Sequence, residues 1–300
     1  VGTREDLANT IYNISPSDVP FMSMIGRSKA KNTLVEWQSD SLSASSSTNA
    51  QIEGDDYAYT AVTPTVRLGN YTQILRKTVV VSGSHQAGNH AGRDSEQAYQ
   101  FAKMSKEIKR DLETSLTGKK ERTVGSASAA RYLGGLESWI VTNKSHNGSG
   151  ATATYAAGSA VTDGTQRAFT ETLLKAQIQA AFTAGSDPSV IMLGPSNKQT
   201  FSGFAGRSTA RQNISAESIQ AGASLYASDF GDFKVTVNRF SRDRTAFILD
   251  PQYWSVAYFR DFKAEDVAKT GDAIKKVLLC EATLVAKAEN SAAKVADLTV

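Results

Sequence analysis

Apolar and polar positions divide this chain into stretches of different period. "TLVEWQSDSL", from Thr33, alternates: Leu34, Glu36 and Gln38 share one face, Val35 and Trp37 the other, as in a strand. "VRLGNYTQILRKTVVV", ending at Val81, is rich in the β-branched and aromatic residues that strands favour. The two predict a long hairpin over 33–81. The period then changes. In "DSEQAYQFAKMSKEIKRDLETSLTG" Phe101, Met104, Ile108, Leu112 and Leu116 recur at intervals of three and four, which predicts one long amphipathic helix. Asp94 and Gln97 are expected to form its capping box and Gly118 its stop.

Residues 143–165 are rich in Gly, Ser, Ala and Thr and predict an exposed loop. A second helix is expected after Thr170, with Phe169 and Leu174 as a hydrophobic staple. Leu174, Ile178 and Phe182 should face inward, and Gly185 should end it. "SVIML" predicts a short buried strand, and Gly194-Pro195 opens a short helix. "FKVTVNRF" and "TAFILD" predict a hairpin around "SRDR". "YWSVAYFRDF" and "AIKKVLLCEATLVAKAEN" predict two last strands around a turn at Lys269 to Asp272.

Two segments fit neither period. Residues 1–33 read as an arm: a helical turn at Leu7, Ile11 and Ile14 closed by Ser15-Pro16, then "DVPFMSMIG", then basic Arg27, Lys29 and Lys31. Inside the hairpin lies "SASSSTNAQIEGDDYAYTAVTPT", and five acids and no base fall between Asn32 and Val66. So long a structureless connection is unusual in a compact domain unless it has work to do. A lone two-stranded hairpin is also marginal in water. It should lie on something else.

Composition narrows the classes. Hydrophobic residues are 40% and charged residues 21%, as in ordinary globular chains. The 33 basic residues nearly cancel 30 acidic ones, for a net charge of +3. A protein gripping DNA through its phosphates would show a more clustered excess. One cysteine, Cys280, cannot form an internal disulfide, and no apolar run approaches a membrane span. The expectation is a soluble, non-secreted protein with no membrane partner.

The candidate chemistry fails on spacing. Gly118-Lys119 lacks the glycine and hydroxyl of a phosphate loop: Glu113 and Lys120 stand there. His85 and His90, five apart in a glycine-rich loop with His146 remote, lack zinc-ligand spacing. "VIMLGPSNK" places a loop between a strand and a helix, where anions can bind, but without convergent polar partners. No catalytic residue, cofactor or metal is expected, and the chain is read as a non-enzyme.

The ordered series "YNISPSDVPFMSMIG", "VEWQSD", "LGNYTQI", "GLESWI", "ILDPQYW", "FRDF" and "KTGDA" resembles the major head proteins of tailed bacteriophages, from about Asp6 to Leu298. The layout of arm, hairpin, helix and inserted α/β module resembles the α+β Hong Kong 97-type capsid fold. That resemblance implies an N-terminal arm at 1–33 and an extended loop at 34–82 overlapping a neighbouring subunit. It also implies a peripheral domain at 83–130 and 251–300 with a spine helix at 94–117, and an axial domain at 131–250. It implies a homo-oligomer of hexamers and pentamers closing an icosahedral virion shell assembled in the bacterial host cytoplasm. Portal and decoration proteins would be partners, with packaged double-stranded DNA in weak nonspecific contact. An encapsulin-like nanocompartment shell, which shares the fold but holds protein cargo, is the alternative.

On that reading Phe21, Met22, Met24, Ile25, Trp37 and Tyr71 are the expected inter-subunit contacts, since aromatics and Met are enriched at interfaces. The alternative is that half of them fold back onto their own subunit. The acid-only loop is expected to pair with the Lys103 to Arg110 face. Having no lysine, it should form no lysine crosslink.

Overall fold

The computed structural model describes residues 18–56, 59–88, 95–152, 161–204, 224–269 and 271–300. The expected turn at Leu7 to Pro16, the Asp94 cap, His90 and part of the 143–165 loop lie outside these residues. Pro20 opens a short helix, α1 (Pro20–Met24), at the position where its missing N–H costs nothing. Strand β1 (Gly26–Lys29) follows. The hairpin forms between β2 (Leu34–Ser39) and β3 (Val66–Tyr71). The chain then steps across Thr72 into β4 (Gln73–Ser82), which leaves the hairpin for another sheet. The expected single hairpin is thus a ribbon plus a sheet strand.

After α2 (Gly83–Ala87), the long helix α3 runs Glu96–Thr117, with Ser95 as its N-cap. Its predicted stripe is buried at Met104, Ile108, Leu112 and Leu116. Gly118 ends it, and a Cβ on Gly135 would lie 2.2 Å from the Gly118 carbonyl oxygen. That close approach brings α4 (Leu136–Trp139) against the end of α3. β5 (Asn143–Ser145) is followed by α5 (Glu171–Thr183), where Thr170 caps the N-terminus as predicted. Then come β6 (Val190–Leu193), α6 (Pro195–Ser202), β7 (Leu225–Ser228), β8 (Gly231–Val237) and β9 (Ala246–Leu249). β10 (Trp254–Asp266), β11 (Ala273–Ala286) and β12 (Ala293–Val295) complete the chain.

Three sheets result: β1-β10-β11-β4, β5-β12-β9-β6-β8-β7, and the β2–β3 ribbon. α3 packs on one face of the four-stranded sheet, sharing a core with Leu278, Cys280, Ala282 and Leu284 of β11. The ribbon meets the opposite face at one end, where Val35 and Trp37 reach Ala257 and Val285. A second core joins Leu174 and Ile178 of α5 to Ile191, Phe233, Ile248, Val295 and Leu298.

Four expectations are corrected. β8 and β9 do not pair with each other, because β6 lies between them, parallel to β8 and antiparallel to β9. All four β6 residues are buried, so β6 needs neighbours on both edges and both faces; alternation in β8 shows its faces but not its partner. Phe182 is 45% exposed: Leu174, Ile178 and Ala181 fill the inward stripe of α5, and Phe182 falls beside it, against Phe230 at 5.1 Å. The chain end does not stay with the four-stranded sheet, since β12 joins the other one, whereas Leu133, Leu136, Trp139 and Ile140 join the α3 core. Finally, the described parts of 143–165 are ordered by a strand and by buried polar contacts, including Asn143 and Thr152.

Candidate functional site

The residues singled out for possible chemistry are committed to the fold. Lys119 donates to Asp163 at 2.7 Å. At the start of α6, Ser196 donates to the protein's own Asp243 carboxylate, which occupies the place an anion would take. Cys280 is buried, and its thiol is pushed up to about 12 by burial, with Asp261 and Glu281 adding to the effect, so it is a poor nucleophile. Among the described residues no group of three or more His, Cys, Asp or Glu could hold a metal ion, and no helix is long and apolar enough to cross a membrane.

Two polar junctions hold the molecule's parts together. At the first, the Glu113 carboxylate of α3 accepts from Phe21 N at 2.7 Å and Met22 N at 2.9 Å, the first amides of α1. It also accepts from Asn238 Nδ2 at 2.7 Å. One carboxylate thus joins the N-terminal segment, the long helix and the six-stranded sheet. Burial pushes its pKa up despite these three donors. The junction explains a correction: Phe21, Met22 and Ile25 lie in the subunit's own core and have no surface for a neighbour. Amides at the head of α1 find their acceptor on α3, and the apolar side chains follow. Met24, Trp37 and Tyr71 are half-buried, Trp37 stacking on Trp139 at 5.2 Å.

The second junction centres on Asp297, in the left-handed region with φ 61°. Its carboxylate accepts from Asn147 N at 3.1 Å, Gly164 N at 2.6 Å and His146 Nδ1 at 3.1 Å, with Arg244 at 3.5 Å. Asp163 beside it binds Lys119 and Arg242, each at 2.7 Å. Burial alone would raise Asp163, but these two cations outweigh it and hold it at about 2.

His146 Nε2 meets Thr152 Oγ at 2.7 Å, so hydroxyl, imidazole and carboxylate stand in a relay. The relay is structural: Thr152 is buried and its hydroxyl also accepts from Lys294 Nζ at 2.6 Å. Because Lys294 only donates, Thr152 passes its proton to His146 Nε2, which leaves Nδ1–H for Asp297.

Lys294 is fully buried, donating also to the Glu137 carbonyl at 2.5 Å, and burial lowers it to about 8 from an ordinary 10.5. The unfolded chain therefore binds more protons between these values. The fold bears the full cost of the charge below about pH 8, and stability from this group rises as pH climbs toward 10.5. Lys294→Met is expected to remove that rise and to leave stability at neutral pH within about 1–2 kcal/mol of the parent; urea melts at pH 7 and 9 measure both.

What remains on the surface is the ribbon's connection. Leu42 is 99% and Tyr59 94% exposed, and Ile52 and Val62 are also bare. Arg67 pairs with Glu36 across the ribbon, and Thr65 with Gln38 at 3.2 Å. Sequence reasoning placed the contacts in the dense apolar stretch before Gly26. It passed over these four, because each stands alone among small polar residues.

An arm, a ribbon with an uncovered connection, a long helix on a four-stranded sheet and a second α/β sheet define a Hong Kong 97-type shell subunit. The model of the SU10 major capsid protein family matches residues 1–299, and the chain belongs to that family: it is a phage capsid subunit, a structural component of the virion. It is similar to the major capsid protein of Escherichia phage Phieco32, 29% identical over 94% of this chain and 91% of the relative. Among solved structures it is similar to a chain of the cyanophage A-1(L) capsid asymmetric unit, with TM-score 0.71, 13% identity and coverage of 99% and 98%. An encapsulin from Synechococcus elongatus PCC 7942 shares the fold with TM-score 0.56, 10% identity and coverage of 99% and 92%.

Proposed function

We propose that copies of this chain assemble, without catalysing a reaction, into hexamers and pentamers that close an icosahedral head around double-stranded DNA. The observation that carries the reading is a subunit whose ribbon connection leaves Leu42, Ile52, Tyr59 and Val62 bare. Apolar area lost from water is worth roughly 25 cal/mol per Å² before association costs, so adjacent copies supply the missing cover. Arm 1–33, extended loop 34–82, peripheral domain and axial domain are its working parts. The axial part also takes β12, and the peripheral part takes 131–140. Assembly takes place in the host cytoplasm, with portal and decoration proteins as further partners. A net charge of +3 suits weak nonspecific contact with DNA that must still move during packaging.

Negative-stain microscopy of the expressed protein is expected to show closed shells or capsomers; persistent monomers at high concentration would sink the reading. Nucleic acid in particles from infected cells distinguishes it from a nanocompartment holding an enzyme. Because residues 32–66 contain no lysine, denaturing gels of mature particles should show single-subunit bands without covalent ladders.

A further inference from the structure

The four-stranded sheet is covered by α3 on one face and only partly covered on the other. On that second face the ribbon reaches Ala257 and Val285. Strand register carries the same face on through Leu279, Val277 and Lys275 of β11, opposite Arg76, Thr78 and Val80 of β4, and Lys263 and Glu265 of β10. Here Ile74 is 50% and Val80 61% exposed. Cations predominate: Arg76, Lys263 and Lys275, with Arg131 and Arg260 at the inner end around Glu281. Glu281 is buried and already bonded to both arginines and to Thr72 at 2.6 Å.

The ribbon connection has the opposite character. From Asp40 to Thr65 it carries Asp40, Glu53, Asp55 and Asp56 and no base, between apolar side chains that touch almost nothing of their own chain. The helix face is a poorer seat, because it is already mixed in charge. Lys103 approaches Glu107 at 3.9 Å, and Asp111 is taken by Lys77 at 2.8 Å.

We propose that the 40–65 connection of one copy seats on the open face of the four-stranded sheet of another. Leu42, Ile52, Tyr59 or Val62 lies on Ile74 and Val80, with the acids toward Arg76, Lys263 and Lys275. This rests on the shell reading and names the seat within it. The complementary charges set register and speed encounter, so assembly weakens as salt rises.

The test uses intact particles co-assembled from 14N and 15N subunits, first imaged and then treated with a carbodiimide, which joins a carboxylate to an amine as an amide with loss of water. The expected product is a mixed-isotope peptide linking Glu53, Asp55 or Asp56 to Lys263 or Lys275. Mixed-isotope links to Lys103, Lys106 or Lys109, or no such link in imaged shells, would overturn the seat while leaving the shell standing. Absence of particles in the images would overturn both. In parallel, Arg76→Glu with Lys263→Glu should raise the concentration needed for assembly about ten-fold or more, as like charges replace opposed ones. Adding Asp55→Lys and Asp56→Lys in the same chain should recover much of that loss; no recovery counts against the pairing.

Discussion

Asp297→Ala is expected to lose about 3–5 kcal/mol of stability, the larger of the two strongest effects anticipated for this subunit. The substitution strips acceptors from two amides, Asn147 N and Gly164 N, and each buried donor left unpaired costs about 1–3 kcal/mol. It also leaves His146 and Arg244 without their shared carboxylate. Alanine must further adopt φ near 61°, a region aspartate and asparagine tolerate better. Asp297→Asn keeps that tolerance and one carbonyl acceptor and should lose roughly half as much. Thermal and urea melts of the three proteins provide the comparison.

The pH dependence of this junction has a definite sign. Burial opposes ionisation of Asp297, yet the amides of Asn147 and Gly164 with His146 hold its pKa below the ordinary value of 3.8; Asp163 stands at about 2. Both folded values lie below the unfolded ones, so their stabilisation is complete above about pH 4 and is lost as pH falls toward 2. Asp163→Asn should flatten the acid limb of the melting curve while leaving its neutral plateau lower.

Glu113→Ala should come close behind, at about 3–4 kcal/mol, by leaving Phe21 N, Met22 N and Asn238 Nδ2 without their acceptor. Its effect should be local as well as global. Limited proteolysis is expected to cut within 18–25 in the variant and not in the parent, because α1 is docked through that carboxylate. Glu113→Gln, of the same shape, retains one acceptor and should fall between. Since burial raises Glu113 above 4.5, the folded state binds the extra proton. Its contribution is greatest on the acid side and declines as pH rises through the window above 4.5. The parent's advantage over Glu113→Gln should shrink across that window. An advantage that grew instead would contradict the assignment.

The strongly periodic parts of this fold were legible in the sequence. The α3 stripe from Met104 to Leu116, the Thr170 cap and the β10–β11 hairpin follow from local spacing, and they form where it places them. Partner choice was not legible. β8 and β9 alternate cleanly, and nothing in either shows that β6 separates them. The same limit governs the opening segment. Its apolar density marks Phe21 and Met22 for burial, but whether the cover comes from this copy or the next depends on a carboxylate 92 positions away. Asp297 gave no signal at all: one acid in "VADLTV" does not reveal that four other segments converge on it. The family was readable because its short motifs survive in order, each tied to a turn or packing contact.

The incompleteness of the single subunit is tested most directly by amide hydrogen exchange, comparing unassembled subunits with closed particles. Residues 40–65 should exchange rapidly in the former and become strongly protected in the latter, while the core of α3 from Met104 to Leu116 stays slow in both. Equal, rapid exchange of 40–65 in intact particles would mean that no neighbour covers the ribbon connection, and the account would fail there.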